Sequence, residues 1–406
     1  MKRVYSIDVL RGIVMIIMTL DHVRDLLHTT SITQQPTDLN TTTPVLFFTR
    51  WITHLCAPTF VFLSGVSAFL SMKRTNDVRA SKRFLLTRGV WLIVLEFTLV
   101  GFGVWFDIHF TLFLFNVIAT IGVGFIVLAF LIDRSPKTIA ILGLCILFLH
   151  NLAPLVPGDE NGIVKQLLMP LFSPAAYPLG NGSTFIIGYP PIPWLGIMLL
   201  GFAGGRYFTL ETITASSGKP QASSNTPLRG NRKQQQSLFL ETGLTAIGLF
   251  ILLRFINVYG DPAPWSQQKN GLFTFLSFIN VTKYPPSLQF CLLFLGIMFL
   301  IAAAIAGIKN KWTEVVCVYG KVPLFYFVLH WYLIHPLLFV MVFLQGFKSA
   351  DLVFGFNFGR PKSGSGLPLW AIYIVWMAIV IAMYPLCKWY GRYKERNKGK
   401  MWVRYF

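Results

Sequence analysis

The chain has 406 residues, 54% of them apolar and only 13% charged, with a mean hydropathy of +0.60. Soluble domains carry roughly a quarter charged residues, so this chain has too little polar surface to face water; an ordinary cytosolic enzyme, a disordered chain and a nucleic-acid-binding domain are excluded. The formal charge of +19 then reports orientation in a bilayer, not a polyanionic partner.

Apolar runs of about 20 residues, the length a helix needs to cross a bilayer, recur along the chain. They fall at roughly 8–28, 51–72, 84–106, 110–132, 137–155, 188–208, 237–258, 284–307, 319–344 and 368–390. The predicted fold class is therefore all-α, a polytopic helical membrane protein of about ten transmembrane helices. The third and fourth runs are separated only by Phe106-Asp107-Ile108-His109, which predicts a tight hairpin. Pro285, Pro286 and Pro323 interrupt the eighth and ninth. Residues 210–236, rich in Ser, Gly, Pro and Gln, predict a flexible linker. It divides the chain into a first bundle (1–209, six spans, the expected catalytic part) and a second (237–406, four spans).

Alternate loops differ in basic content. Lys73, Arg74, Arg79, Lys82 and Arg83 lie between the second and third spans, and Lys388 at the end of the last span is followed by six more Lys and Arg, whereas 29–50 and 156–187 hold one each. Positive-inside reasoning places both termini in the cytoplasm, and an even span count agrees.

The first span is unusual in its polar content, carrying Asp8, Arg11, Asp21, His22, Arg24 and Asp25. At 100° per residue, Arg11 and His22 fall about 20° from a whole number of turns apart, on one stripe and roughly 16 Å from each other along the axis. Asp8 reaches Arg11 and Asp25 reaches His22 at i+3 spacing. Ionisable groups in a span are costly and face an interior or a wet cavity. His54, Asn116, Lys283, His330 and His335 are further polar groups in or beside later spans, and form the candidate substrate-facing set. A histidine at this depth serves as general base, as acyl relay or as proton relay in a transporter. The five cysteines sit in apolar context, and no metal-ligand spacing is present; no metal cofactor is expected.

The run SIDVLRGIVMIIMTLDH resembles the R-x10-H signature of membrane acyltransferase-3 proteins. The wider set is similar to the bacterial relatives of lysosomal heparan-alpha-glucosaminide N-acetyltransferase: SIDVLRG (6–12), PTFVFLSGVSAFLSM (58–72), IPWLGIMLLGFAGGR (192–206), NVTKYPPSLQF (280–290) and GKVPLFYFVLHWYLIH (320–335). That resemblance implies a ten- or eleven-span acyltransferase of the bacterial inner (cytoplasmic) membrane. Its co-substrate is acyl-CoA, specifically acetyl-CoA, taken from the cytoplasm, and its acceptor is a sugar or glycolipid on the far side. Carried over by motif, His22 is the catalytic candidate, with Arg11 as its R-x10-H partner and Asp21 or Asp25 to orient the imidazole; the lysosomal relative's pattern leaves His28 and His54 as alternatives. Lys82, Arg83, Arg88 and Arg206 are the candidate cations for the CoA phosphates. The rival reading is a proton-coupled secondary transporter using the same His and Asp groups.

Overall fold

The computed structural model describes residues 4–155, 162–209, 228–397, 399–400 and 403. The chain is predominantly helical and polytopic. Its first helix, α1 (Tyr5–Leu27), is followed by α2 (Pro44–Thr53), α3 (Cys56–Thr75), α4 (Val78–Leu95), α5 (Gly101–Trp105), α6 (Val117–Leu131), α7 (Pro136–Leu149), α8 (Ile163–Leu168) and α9 (Pro191–Gly204). Then come α10 (Leu228–Ile256), α11 (Gly271–Ile279), α12 (Leu288–Ile305), α13 (Lys311–Gly320), α14 (Pro323–Leu344) and α15 (Leu369–Arg396). Among the described residues, seven helical segments are long and apolar enough to cross a membrane. The other three predicted spans map to α1, which carries five charged residues, and to the short α6 and α9, of 15 and 14 residues.

Prolines set several boundaries. The predicted span 51–72 is broken at His54-Leu55, because Pro58 in the first turn of α3 has no N–H and crowds the carbonyl four residues back. Pro323 at the start of α14 separates it from α13, splitting the run at 319–344. The predicted hairpin between the third and fourth spans does not form directly. After α5, Phe106 takes a left-handed conformation and the chain enters a strand, β1 (Leu112–Phe115), before α6. That strand pairs in parallel with β3 (Ser183–Ile187), which pairs antiparallel with β2 (Ala175–Gly180). The β2–β3 turn, Gly180-Asn181-Gly182, has positive φ at all three residues, which glycine and asparagine tolerate. Most of the expected linker, 210–227, lies outside the described residues; 228–236 form the first turns of α10.

Helices meet closely where a side chain is missing. A Cβ on Gly65 of α3 would stand 2.1 Å from the Met198 carbonyl oxygen of α9, and one on Gly201 would stand 2.0 Å from that of Phe62. Small residues let backbones approach in this way. The same device joins α1 to α13, where a Cβ on Gly12 would be 2.0 Å from the Val316 carbonyl oxygen. Beyond that crossing, Tyr326 Oη on α14 is 2.6 Å from Thr19 Oγ1, and Trp376 Nε1 on α15 donates to the Ile16 carbonyl at 2.8 Å. The polar helix α1 is thus enclosed by α3, α13, α14 and α15.

Candidate functional site

A cavity of about 1760 Å³ follows α1 along its length, lined from Val4 to His28. Its walls come from both halves of the chain. At the end that holds the start of α1, the lining includes Arg11, Arg74, Arg83, Arg88, Lys321 and Lys394, against the acids Asp8 and Glu395. Arg11 pairs with Asp8 at 3.6 Å and donates to Ser67 Oγ and, at 3.3 Å, to the Leu63 carbonyl. Among the described residues, basic groups therefore outnumber acidic ones by four at this end, an arrangement suited to a polyanionic ligand.

His22 lines the cavity further along α1. Its Nδ1 lies 2.6 Å from His330 Nε2, and His330 Nδ1 lies 3.2 Å from the Tyr326 carbonyl oxygen. The His22 ring stacks on Trp331, with centroids 4.1 Å apart and planes 20° from parallel. His330 is fully enclosed behind His22 and is not part of the cavity wall.

At the far end sits a charged cluster. Arg24 Nη2 donates to Asp21 Oδ1 at 2.8 Å and to Asp25 Oδ1 at 2.5 Å, and Arg50 bonds the other oxygen of Asp21. Asp21 and Asp25, expected to orient His22, thus pair with arginines, and the imidazole's partner is His330. Lys283 joins the cluster from the loop before α12, with its Nζ 5.0 Å from the Tyr284 ring centroid and 5.9 Å from that of Tyr189. Tyr189 is brought there by the sheet, since its N–H donates to the Phe115 carbonyl at 3.3 Å and its own carbonyl accepts from Thr120 Oγ1 at 2.9 Å.

Two residues, the buried Arg254 and the half-buried Asp261, hold the Lys283 loop. Arg254, 1% exposed, donates to the carbonyls of Ala263, Ser277, Phe278 and Asn280 and to Gln289 Oε1, all at 2.8–3.0 Å. Asp261 accepts from Thr282 N, Thr282 Oγ1 and Ser287 Oγ at 2.8, 2.9 and 2.6 Å. His150 adds a third tie, with Nε2 2.9 Å from the Pro286 carbonyl oxygen. Arg360, in the loop before α15, donates to the carbonyl of His28 at 2.8 Å and to Ser31 Oγ at 2.8 Å, pinning the end of α1. Burial pushes its guanidinium down to about 10, still charged at neutral pH.

The remaining predicted residues separate into those at the cavity and those away from it. Arg83, Arg88, His28, Lys283 and Asn116 line it; Asn116 also caps α6, its Oδ1 accepting from Val117 N at 2.9 Å. Lys82 does not line it and lies over the Phe130 ring, 5.4 Å from the centroid; Arg206 does not either, bonding the Tyr207 hydroxyl and lying over that ring at 4.6 Å. His54 packs between Phe290 and Phe294, and His335 stacks on Phe106 with its Nε2 2.9 Å from the Phe358 carbonyl oxygen. Arg24 and Arg74 were named in the sequence only as charges of a span and of a loop, and Arg50, Lys321, Lys394, Trp331 and Arg254 were not singled out as site residues. Of these, Arg24 alone had a local signal, its i+3 spacing from Asp21.

A family model described as heparan-alpha-glucosaminide N-acetyltransferase, catalytic, matches residues 3–232. Comparison with curated proteins finds no match.

Proposed function

The chain belongs to the family of the heparan-alpha-glucosaminide N-acetyltransferase catalytic region, and on that premise we propose that it carries an acetyl group across the membrane. The donor is acetyl-CoA, bound with its phosphates among Arg11, Arg74, Arg83, Arg88, Lys321 and Lys394. The acceptor is the amine or hydroxyl of a sugar or glycoconjugate, entering from the end that holds Arg24, Arg50 and Lys283. The carrying observation is the single cavity that joins a strongly basic end to His22 and the charged cluster beyond it. Arg11 and His22 are separated by roughly 16 Å along the helix, a gap suited to an extended pantetheine arm. The four excess positive charges at the basic end match the pyrophosphate and 3′-phosphate of CoA. Positive-inside reasoning sets that end in the cytoplasm, where acetyl-CoA is made.

In this reading the thioester carbon lies beside His22 and the acceptor reaches it from the opposite side. His22 takes the proton from the attacking amine or hydroxyl as the C–S bond breaks, and the thiolate is protonated as CoA leaves. The paired charges of the outer cluster orient the acceptor. The test is CoA release by detergent-purified protein with a panel of amino sugars and glycans as acceptors. Wild type is expected to release CoA, and His22→Ala to lose about 100-fold or more of that rate while remaining folded and binding acetyl-CoA. Full turnover in His22→Ala would remove the residue from the chemistry. A folded wild type that binds no acyl-CoA yet supports pH-driven solute flux in liposomes would make the protein a transporter.

A further inference from the structure

We propose that His330 is a positioning residue that fixes the tautomer of His22, leaving His22 Nε2 as the bare, basic nitrogen. The inference rests on the reading of His22 as the proton-accepting group. It follows from the order of donors and acceptors along one line.

The line starts at the Tyr326 carbonyl oxygen, which can only accept. His330 Nδ1, 3.2 Å away, must therefore carry a hydrogen. A neutral imidazole has one N–H, so His330 Nε2 presents a lone pair. His22 Nδ1 lies 2.6 Å from that lone pair and must donate to it. A neutral His22 then has its own lone pair on Nε2. The reverse arrangement would need both hydrogens on His330. That would enclose an imidazolium at 0% exposure with no carboxylate bonded to it among the described residues, since Asp21 and Asp25 are held by Arg24 and Arg50. Burying an unpaired charge in this way is strongly unfavourable.

Packing sets the orientation as firmly as the hydrogen bond sets the tautomer. Trp331, the neighbour of His330, stacks on the His22 ring, and Phe327 meets it edge-on at 6.5 Å and 79°. One turn earlier on both helices, Tyr326 Oη and Thr19 Oγ1 meet at 2.6 Å. That bond fixes the register of α14 against α1, so the two imidazoles face each other without adjustment. In the reaction, the acceptor's lone pair forms the bond to the acyl carbon and its proton passes to Nε2. The C–S bond breaks, the sulfur takes the proton back from Nε2, and Nδ1–H stays with His330 throughout. The enzyme ends in the protonation state in which it began. Where an acid–histidine pair sets a negative charge behind the base, this pair sets a neutral acceptor.

Two measurements test the assignment. The first needs no activity: nitrogen shifts of 15N-histidine-labelled protein in detergent, with His22 assigned by its loss in His22→Gln. A pyrrole-type Nδ1 and a pyridine-type Nε2 are expected; the opposite order overturns the proposal. The second compares His330→Phe, which keeps an aromatic ring and removes the acceptor, with His330→Gln, which restores an acceptor oxygen. His330→Phe is expected to lower kcat about 100-fold with acetyl-CoA KM nearly unchanged, and His330→Gln to recover at least about tenfold of that loss. Equal activity in the two variants, or a wild-type kcat in His330→Phe, overturns it. If neither variant folds, the spectrum of the wild type decides. A wild type without acyl transfer would remove the function from His22, while the spectrum would still read the tautomer.

Discussion

Arg24 shares its Nη2 between Asp21 and Asp25, and its Nε and Nη1 lack a hydrogen-bond partner among the described residues. The guanidinium is 2% exposed and lines the cavity, and it holds two carboxylates. Removing it leaves Asp21 with Arg50 alone and takes the cation from Asp25, whose side chain is 41% exposed. Arg24→Ala is expected to cost about 1–3 kcal/mol of stability, read as a fall in the detergent melting temperature. Arg24→Lys, which keeps the charge but not the fork, is expected to lose less. A melting temperature unchanged in Arg24→Ala would show that the cluster is solvated. The i+3 spacing of Asp21 and Arg24 was legible in the sequence, yet His22 drew both acids into a pairing that the fold does not make. The reason is competition: an arginine one turn away offers a carboxylate a permanent charge, which a neutral imidazole cannot match. The true partner of His22 comes from 308 residues away, and no local spacing encodes that contact. The run FYFVLHWYLIH marked His330 as a polar group in a span, but not the element it faces.

At the scale of elements, hydropathy located the helices well because the bilayer demands uniform apolar runs. The runs break where proline or a strand intervenes: Pro323 was marked as an interruption and divides the ninth run at Lys321-Val322, whereas His54-Leu55 ahead of Pro58 and β1 in front of α6 were read as unbroken span. β1 was hidden because LFLF is apolar without alternation and borders an apolar helix, a case in which periodicity cannot separate strand from helix. The blocks PTFVFLSGVSAFLSM and IPWLGIMLLGFAGGR have a mechanical reason for their glycines. Gly65 and Gly201 sit on α3 and α9 where each backbone touches the other helix. Gly201→Leu forces α9 away from α3 and is expected to cost about 1–3 kcal/mol or more, seen as a lower melting temperature and aggregation on size exclusion. Gly248 is the control, because nothing lies within 4 Å of its added Cβ; Gly248→Ala is expected to leave the melting temperature unchanged or raised.

The whole molecule is built around a polar helix that the rest of the chain shields from lipid. Because α1 is enclosed by helices of both halves, neither half on its own closes the cavity, and the segment matched by the family model supplies only part of the walls. Under the proposed function, this arrangement divides the basic residues open to a CoA ligand from those that are not. Of Lys82, Arg83, Arg88 and Arg206, the sequence sets Arg88 apart as the deeper one, inside the predicted third span, and reads Lys82 and Arg83 equally well as ordinary cytoplasmic-side charges. Burial geometry divides them: Arg83 and Arg88 turn to the cavity, joined by Lys321 and Lys394 from the second half, while Lys82 and Arg206 lie on aromatic rings elsewhere. A charge-assisted contact to phosphate contributes about 1.5–3 kcal/mol, and 1.4 kcal/mol is a factor of ten in affinity. Arg88→Ala and Lys394→Ala are therefore each expected to raise the acetyl-CoA KM about tenfold or more with little change in kcat, and to weaken the dependence of binding on salt. Lys82→Ala and Arg206→Ala are expected to leave KM within about twofold. The opposite ranking would move the phosphates out of the cavity and onto the membrane-facing surface of α4. Equal effects from all four would make the basic end a diffuse field that gathers the anion without seating it.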